Sequence, residues 1–420
     1  MSDDALAICG GRPVRARPWP RWPRATTSTH EAMADVLESG RWSLSGPFRG
    51  RTCWERRFAQ AFADFHEVPF CTPTANGTGA LTIALEALGV GPGDEVLVPA
   101  LTWVACASAV ANLGAVAVIV DVDRDTLTMS PDAARAACTE RTAAIMVVHP
   151  FCAVADLDAF VALSEERGVP LIEDCAQAHG ARWRGRPVGT FGAAGCFSMQ
   201  QSKLLTSGEG GAVITSDEGL YDRVEQYRCD GRRFASEPEV GRLELVEVGA
   251  VLGRNLCLSE FQAAVLLDGL GRLPGENETR SDRAEHLRSV LEPIEGVSLL
   301  RDDPRVTTRT YYNLVLRFDP AAFAGVSIDV LAQGLAAELG TMVNPVYVPL
   351  HRHRLLRRLD ARPRSLPGAE HARRTCLTLT HPVLLDDRAG MEEVAAAVRK
   401  VQRRAADLLA LPQPATSLSF

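Results

Sequence analysis

The sequence predicts an α/β protein with a mostly parallel central sheet flanked by helices, followed by a smaller C-terminal α+β domain. Short apolar runs of strand length recur along the first part of the chain, separated by segments of helix length. This alternation is typical of βαβ units, whose strands are buried on both faces. Because 420 residues exceed what one simple core accommodates, we expect a large domain and a smaller one.

The predicted division is an N-terminal arm over residues 1–30, a large domain over residues 31–268 and a small domain over residues 269–420. The arm is rich in Pro and Arg, which favours an extended segment. It contains Trp19 and Trp22, and we expect these large apolar side chains to pack against the rest of the protein.

Individual elements follow from the spacing of apolar residues. The predicted strands of the large domain are residues 94–100, 115–123, 142–151, 169–175, 193–199 and 210–217. In the small domain, residues 273–294 and 390–410 predict helices with a polar face, and residues 310–318 predict a strand. Lys400 lies on the charged face of the last helix, so we expect it at the surface.

Composition excludes several classes of function. A net charge of -7 disfavours nucleic acid as a partner, and no run of about 18 apolar residues predicts a membrane span. The first residues lack the apolar segment of a signal peptide, so we expect a cytoplasmic protein. The 11 cysteines are scattered and contain no C-x-x-C pair, which predicts reduced thiols and no metal site.

Lysine is rare in this chain. Of 45 basic residues only Lys203 and Lys400 are lysines, and Lys203 lies in the segment CFSMQQSKLLTSGEGG at 196–211. A lysine amine can lose its proton and form an imine with a carbonyl group, which a guanidinium cannot do. An arginine-rich coding bias would also leave few lysines, so the count alone does not establish a catalytic role.

A candidate anion site precedes a strongly helical stretch. Asn76, Gly77 and Thr78 stand at its start, where free backbone N–H groups attract negative charge and Gly77 permits close approach. An ordinary helix cap is the alternative. Neither a dinucleotide G-x-G-x-x-G nor a Walker G-x-x-x-x-G-K-[ST] motif is present, which disfavours dinucleotides and ATP.

Further polar and aromatic residues follow predicted strands. Asp174 ends an apolar run, at the edge where open α/β sheets bind ligands, and is a candidate partner for a protonated ring nitrogen. A carboxylate that only caps a turn is the alternative. Ser198 ends another strand and offers a hydroxyl for a phosphate. Trp103 would stack on a bound ring or, alternatively, lie in the core.

One cofactor requires all of these groups together. Pyridoxal 5'-phosphate needs a lysine amine, a carboxylate at its ring nitrogen, a helix start with hydroxyls for its phosphate and an aromatic ring to stack on. The sequence supplies the amine, the carboxylate, the two hydroxyls and the aromatic ring in Lys203, Asp174, Thr78, Ser198 and Trp103. The sequence therefore predicts a pyridoxal-phosphate enzyme in which Lys203 is the catalytic amine.

Three segments carry a resemblance to a known family. The stretches PTANGTGAL, EDCAQAHGA and SMQQSKLLTSGEGG resemble the DegT/DnrJ/EryC1/StrS family of vitamin B6 dependent sugar aminotransferases, and the likeness extends over nearly the whole chain. Residues 40–47 and 255–266 resemble the branch that aminates cyclitol ketones with L-glutamine, the scyllo-inosose and 2-deoxy-scyllo-inosose aminotransferases of aminoglycoside antibiotic pathways.

The resemblance implies a type I aminotransferase fold and a homodimer with shared active sites. It implies that Lys203 bonds to the cofactor, that Asp174 holds the pyridine nitrogen and that Gln177 contacts the ring oxygen. The other implied cofactor contacts are Gly77, Thr78 and Ser198 to the phosphate, Trp103 to the ring face and Asn255 to the phosphate bound by the neighbouring subunit.

The substrate side of the implied site is less uniform within the family. Tyr347 and His351 resemble a segment near the substrate, whereas Cys229 stands where many members have His. The expected reaction is transamination of a cyclitol ketone with L-glutamine. The alternatives are a nucleotide-linked keto-sugar aminotransferase, a lyase of the aminohydroxybenzoate synthase kind and a vitamin-binding regulator, although the sequence predicts no DNA-binding domain for the last.

Overall fold

The computed structural model describes residues 5–235, 237–354, 356 and 365–411. The strands are β1 (Phe70–Thr74), β2 (Glu95–Pro99), β3 (Val116–Val120), β4 (Thr142–Val148), β5 (Leu171–Asp174), β6 (Arg182–Trp183), β7 (Arg186–Pro187), β8 (Ala194–Ser198), β9 (Gly211–Thr215), β10 (Arg232–Phe234), β11 (Leu245–Glu247), β12 (Val297–Leu299), β13 (Val306–Thr308), β14 (Asn313–Phe318), β15 (Val343–Pro345) and β16 (Cys376–Thr380).

The helices connect and cover these strands. They are α1 (Thr27–Ser39), α2 (Trp54–Phe65), α3 (Gly77–Ala87), α4 (Ala105–Asn112), α5 (Pro131–Ala137), α6 (Leu157–Arg167), α7 (Glu218–Arg228), α8 (Glu260–Leu291), α9 (Ile328–Leu339), α10 (Pro367–Thr375), α11 (Arg388–Arg403) and α12 (Ala405–Leu408). Short 3-10 helices lie at Ala7–Cys9, Pro320–Phe323, Leu350–Arg352 and His381–Leu385. None of the helices in the described part of the chain is long and apolar enough to cross a bilayer.

The large sheet has seven strands in the order β1-β9-β8-β5-β4-β2-β3. Strands β8, β5, β4, β2 and β3 are parallel, whereas β9 is antiparallel to both of its neighbours. The prediction of a mostly parallel central sheet is therefore confirmed, and all six predicted strands of the large domain are present in it.

Both faces of this sheet are buried, which explains why its strands read as continuous apolar runs. Val96 and Val98 of β2 face one hydrophobic cluster, whereas Leu97 between them faces another. Side chains alternate between the two faces because the strand period is two. The sheet thus forms a middle layer between helices.

Three chain segments meet at one edge of this sheet. Strand β5 ends at Asp174 and its parallel neighbour β8 ends at Ser198. Strand β1 runs in the same direction as β8, because both are antiparallel to β9 between them, and it leads into Asn76 and α3. The topology therefore brings a carboxylate, a hydroxyl and a helix start to the same edge.

A second sheet of four antiparallel strands, in the order β12-β14-β16-β15, lies in the C-terminal part of the chain. Helix α8 leads to it and is longer than predicted, because a capping box between Ser259 and Gln262 starts it at Glu260. Pro274 lies inside this helix. The predicted strand and the predicted C-terminal helix are also present, as β14 and as α11 with α12.

The N-terminal arm packs against the C-terminal part of the chain, as its tryptophans predict. Trp19 Nε1 donates a hydrogen bond of 2.7 Å to the carbonyl of Leu339. The expectation that Lys400 lies at the surface is wrong: it is buried, with its Nζ 3.0 Å from Glu338 Oε2 and 2.6 Å from the carbonyl of Arg12. The helical pattern could not show that the arm covers the charged face of α11.

Candidate active site

A cavity of about 910 Å³ lies between the carboxyl edge of the large sheet and the four-stranded sheet. The structure brings eight of the predicted site residues together in its wall. These are Gly77, Thr78, Trp103, Asp174, Gln177, Ser198, Lys203 and Tyr347. Pockets of this size hold a cofactor together with a small substrate.

One end of the cavity is a cradle formed at the start of α3. Asn76 Oδ1 accepts a hydrogen bond of 2.7 Å from the backbone N–H of Gly79 and so caps the helix. A Cβ on Gly77 would lie only 2.6 Å from Ser198 Cβ, so this position requires glycine. Backbone N–H groups at a helix start, with the hydroxyls of Thr78 and Ser198 beside them, favour a phosphate here.

Asp174 forms the carboxylate of the site and is almost fully buried. Its Oδ1 accepts a hydrogen bond of 2.9 Å from Ala176 N–H, and its Oδ2 accepts one of 3.0 Å from the Cys106 thiol. Burial, with the negative charge of Asp174, raises the pKa of Cys106 well above its ordinary value, so the thiol keeps its proton and donates it. Asp174 is thereby held as an oriented acceptor for a cationic ring nitrogen.

Gln177 and Tyr347 form the side of the cavity next to Asp174. Gln177 Oε1 accepts a hydrogen bond of 2.6 Å from the N–H of Phe151, and Gln177 Nε2 donates one of 3.2 Å to the Tyr347 hydroxyl. The second N–H of that amide remains available for a ligand oxygen. Burial raises the pKa of Tyr347 well above its ordinary value, so its hydroxyl is neutral. Trp103 is 44% exposed and lies against Tyr347, which excludes the core alternative for this tryptophan.

Lys203 enters the cavity from a loop that follows β8. Its Nζ lies 4.2 Å from the centroid of the Tyr312 ring, and it makes no hydrogen bond or ion pair with any residue that the structure describes. The Tyr312 hydroxyl is in turn 2.9 Å from Ser202 Oγ. An amine that is not tied to a carboxylate is free to bond to a carbonyl carbon, so the geometry fits the chemistry expected of this lysine.

Three residues noted from the sequence lie outside the cavity wall. Asn255 is exposed, and its Oδ1 accepts a hydrogen bond of 3.4 Å from the N–H of Cys257. The His351 Nε2 is 2.9 Å from Glu370 Oε1, and neither residue lines the cavity. The Cys229 Sγ is 3.5 Å from that of Cys257, whose thiol donates to it and lowers the pKa of Cys229 to about 7.

Sequence reasoning missed the wall contributed by the second sheet. Tyr312 and Asn313 precede and begin β14, while Asn344 and Thr380 belong to the neighbouring strands β15 and β16. The signal for Tyr312 and Asn313 was present, because both lie in the predicted strand at residues 310–318. Nothing in the sequence indicated which end of that strand faces the large domain.

An ion pair also lies in this second wall. Arg373 Nη2 is 2.7 Å from Asp329 Oδ1 and Arg373 Nη1 is 3.2 Å from Asp329 Oδ2, so the two groups form a bidentate pair. Among the described residues of the wall, Arg373 and Lys203 are the cations, and Asp174, Glu209 and Asp329 are the anions. The positive charge of Arg373 is therefore largely neutralised where it lies.

Buried His149, Glu173 and Cys175 approach one another outside the cavity with the spacing of metal ligands. His149 Nδ1 accepts a hydrogen bond of 3.1 Å from Ala155 N–H, and its Nε2 is 3.2 Å from Glu173 Oε2. Backbone N–H groups, including that of Gly189, also bind the Glu173 carboxylate. Since these ligand atoms already have protein partners, the cluster is a buried hydrogen-bond network.

Comparison with known proteins places the chain in one family. The sequence profile of the DegT/DnrJ/EryC1/StrS aminotransferase family matches residues 23–399. An L-glutamine:2-deoxy-scyllo-inosose aminotransferase from Streptomyces fradiae is 48% identical over 419 residues, covering 96% of this chain and 99% of that protein. An L-glutamine:scyllo-inosose aminotransferase from Streptomyces griseus is 46% identical over 415 residues, covering 95% and 98%. The crystal structure of 3-amino-5-hydroxybenzoic acid synthase has a TM-score of 0.82 and 32% identity, covering 93% of this chain and 100% of that one.

Proposed function

This chain belongs to the DegT/DnrJ/EryC1/StrS aminotransferase family, and we propose that it transfers the amino group of L-glutamine to a cyclitol ketone of the scyllo-inosose or 2-deoxy-scyllo-inosose type. It has the fold of the pyridoxal-phosphate aminotransferases and is an enzyme of that class. The proposed reaction is a step in the formation of the aminocyclitol of an aminoglycoside antibiotic.

The observation that carries the choice of substrate is the near full-length similarity to two aminotransferases named for inososes. The charge of the cavity supports it. A nucleotide-linked sugar brings a diphosphate, which proteins bind with free arginines or lysines. In the described wall Arg373 is already paired with Asp329, and Lys203 is needed for chemistry. Uncharged Asn313, Asn344 and Thr380 instead suit the hydroxyl groups of a free cyclitol.

The residues present fit pyridoxal phosphate, and we assign each a contact. Bound pyridoxal phosphate supplies a carbonyl that takes up an amino group and a ring that accepts an electron pair from the substrate carbon. Lys203 would hold it covalently through Nζ, and Asp174 would pair with the ring nitrogen. The remaining contacts would be Gly77, Thr78 and Ser198 with the phosphate, Trp103 with the ring face and Gln177 with the ring oxygen.

The chain's own part in the reaction is mainly the movement of protons. Lys203 Nζ would take the proton from the donor carbon that carries the amino group and would deliver it to the cofactor carbon that has received that amino group, which is general acid–base catalysis by a positioned amine. Asp174 keeps a proton on the facing nitrogen, because a nearby negative charge favours the cationic form. The neutral hydroxyl of Tyr347 accepts the hydrogen bond from Gln177 Nε2 and so orients that amide.

We further propose that the active unit is a homodimer in the cytoplasm. Exposed apolar side chains, among them Leu243 and the 95% exposed Leu252, lie on the segment that leads to Asn255, and such patches mark protein contacts. Asn255 would there reach the phosphate bound by the neighbouring subunit. The 11 free cysteines are compatible with a reducing compartment. For domains, we propose the arm 1–30, the large domain 31–268 and the small domain 269–420.

A panel of acceptors tests the proposed substrate. The protein loaded with pyridoxal phosphate is incubated with L-glutamine or L-alanine and, in separate reactions, with scyllo-inosose, 2-deoxy-scyllo-inosose or a nucleoside diphosphate keto-sugar. Mass spectrometry then measures the amine formed from each ketone. We expect glutamine-dependent amination of at least one of the two free cyclitols and none of the nucleotide-linked sugar.

Other outcomes would support the alternatives. Amination of the nucleotide-linked sugar alone would overturn the cyclitol assignment, while an aromatic product formed without consumption of an amino donor would indicate a lyase. If neither L-glutamine nor L-alanine changed the absorbance of the bound cofactor, the assignment of L-glutamine as the amino donor would be overturned. Of the two residues that the resemblance places near the substrate, Tyr347 lines the cavity and His351 does not, so the panel tests a contact of Tyr347 with the ketone more directly than one of His351.

A further inference from the structure

The backbone that carries Lys203 lies outside any helix or strand. Lys203 stands in the loop between β8 and β9, where its N–H donates a hydrogen bond of 2.8 Å to the carbonyl of Gln200. The repeating hydrogen bonds that fix side-chain directions in helices and strands are therefore absent at this position. Other groups must hold the peptide if the amine is to point reproducibly into the cavity.

Two ring N–H groups hold consecutive carbonyls of this loop. His381 Nε2 is 3.1 Å from the Ser202 carbonyl oxygen. Trp22 Nε1 donates a hydrogen bond of 3.2 Å to the carbonyl oxygen of Lys203 itself. Since a carbonyl only accepts, the proton of the imidazole is on Nε2. The two rings touch edge to face, with centroids 4.7 Å apart. Trp22 comes from the N-terminal arm and His381 from the 3-10 helix that follows β16, so two distant parts of the chain converge here.

The surroundings keep this pair of donors in place. Burial lowers the pKa of His381 well below its ordinary value, so the ring is neutral and remains a directed donor. The guanidinium of Arg280 lies 5.3 Å from the centroid of the Trp22 ring. The backbone N–H of His381 donates a hydrogen bond of 3.3 Å to the carbonyl of Tyr312, the residue whose ring lies under Lys203 Nζ. The contacts thus run from the arm to the amine without a gap.

We propose that Trp22 and His381 are positioning residues for the catalytic lysine, which fix its backbone so that the amine meets the cofactor carbonyl. This proposal rests on the proposed role of Lys203. It also gives the N-terminal arm a function in catalysis: the arm reaches from the buried Lys400 and Glu338 to the back of the lysine loop.

A matched pair of tryptophan variants tests the proposal. Trp22→Phe keeps an aromatic ring but removes the N–H. Trp19→Phe makes the same change on the same arm, where the lost donor served the carbonyl of Leu339 and not the lysine loop. Pyridoxal phosphate is added to each purified apoprotein, and the rate at which the lysine bond forms is followed by absorbance and by borohydride trapping with mass spectrometry.

We expect Trp22→Phe to slow formation of the bond by about tenfold, the factor that corresponds to the loss of one hydrogen bond. Trp19→Phe should form the bond at the wild-type rate, even if its melting temperature falls as far as that of Trp22→Phe. In turnover, Trp22→Phe should lower kcat and leave the KM for the ketone unchanged. Equal rates in both tryptophan variants and the wild type would overturn the proposal.

Variants of His381 give a second measurement. His381→Leu removes the donor and should slow bond formation as Trp22→Phe does, while His381→Gln can present its amide N–H to the Ser202 carbonyl and should restore most of the rate. Failure of the glutamine variant to recover any rate would contradict a hydrogen-bond role. Lys203→Ala in the same assay separates the two proposals: a bond that still forms there refutes the proposed site, whereas an unaffected Trp22→Phe refutes only the positioning.

Discussion

The surroundings of the two lysines of this chain differ in a way that matches their chemistry. Lys400 is buried, and its ammonium is fixed by the carboxylate of Glu338 and the carbonyl of Arg12. Lys203 lines a cavity, and its Nζ lies 4.2 Å from the centroid of the Tyr312 ring.

This difference fits the proposal that the same side chain serves structure in one region and chemistry in another. A carboxylate partner favours the charged form of an amine, which suits a structural ion pair but hinders an amine that must lose its proton. The protein gives such a partner to Lys400 and, within the described residues, withholds it from Lys203. The arm connects the two regions, since it covers Lys400 at one end and braces the lysine loop at the other.

The largest expected effect is the loss of activity at the cavity lysine. Lys203→Met should reduce transamination by a hundredfold or more, because no other amine is placed to bond to the cofactor and move the proton. Lys203→Arg should be equally inactive, since it keeps the charge but cannot form the bond. Initial rates with L-glutamine and the best ketone measure this. An active arginine variant would mean that Lys203 provides only charge.

The same substitution at the other lysine should affect stability instead. Lys400→Met leaves the fully buried carboxylate of Glu338 without its cation, which should cost about 3 kcal/mol of unfolding free energy, the lower end for breaking a buried pair. Activity per folded molecule should stay normal. Urea unfolding of both methionine variants makes the comparison, and the double variant Lys400→Met with Glu338→Leu should recover part of the loss. If Lys400→Met unfolds like the wild type, the ion pair does not stabilise the fold.

Acid should weaken the region behind the cavity. Burial lowers the pKa of His66 to about 4 and that of His179 to about 3, against about 6.5 in the unfolded chain. A lowered folded pKa means that stability is complete above pH 6.5 and is lost as pH falls from there toward the folded value. Each of these two histidines should therefore lower the unfolding free energy by about 2 kcal/mol between pH 7 and pH 5.

Unfolding free energies measured across this pH range check the acid effect. His66→Phe should make the unfolding free energy depend less steeply on pH, because the phenyl ring cannot take up a proton. His30→Gln is the control, since His30 is an exposed histidine on α1. A slope that remained as steep in His66→Phe as in the control would show that His66 does not contribute to it.

The smallest effect is expected at the phosphate cradle. Thr78→Ala removes one hydroxyl donor from the start of α3, which should weaken binding of pyridoxal phosphate by about fivefold to tenfold. Thr82→Ala, one helical turn further along, serves as control because its hydroxyl bonds to the carbonyl of Thr78 and faces no ligand. Titration of both apoproteins measures the dissociation constants. Equal weakening in both variants would indicate a general effect on the helix.

The sequence predicted which residues of the large sheet's edge meet in the cavity wall, for a physical reason. Strand ends and helix starts can be located from apolar runs, and parallel strands bring their carboxyl ends to one edge, so Asp174, Ser198 and Thr78 could be placed together. A carboxylate and two hydroxyls at one edge are groups that pyridoxal phosphate requires, which led to the prediction of that cofactor. Gln177 and Tyr347 came from resemblance and also lie in the wall.

The substrate side could not be predicted, because it depends on how two sheets face each other. Asn344, Thr380 and the pair of Asp329 with Arg373 come from separate elements whose relative placement leaves no local pattern. The same limit explains the wrong prediction for Lys400. Its helix has an ordinary charged face, and only the arm, distant in sequence, turns that face into an interior.

The central claim is that Lys203, and not Lys400, bonds to the cofactor. The direct measurement is to load the protein with pyridoxal phosphate, reduce it with borohydride, digest it and locate the attached group by mass spectrometry. The account predicts a single labelled peptide containing Lys203 and no label in the Lys203→Met variant. Label on Lys400, or undiminished label in that variant, would contradict it.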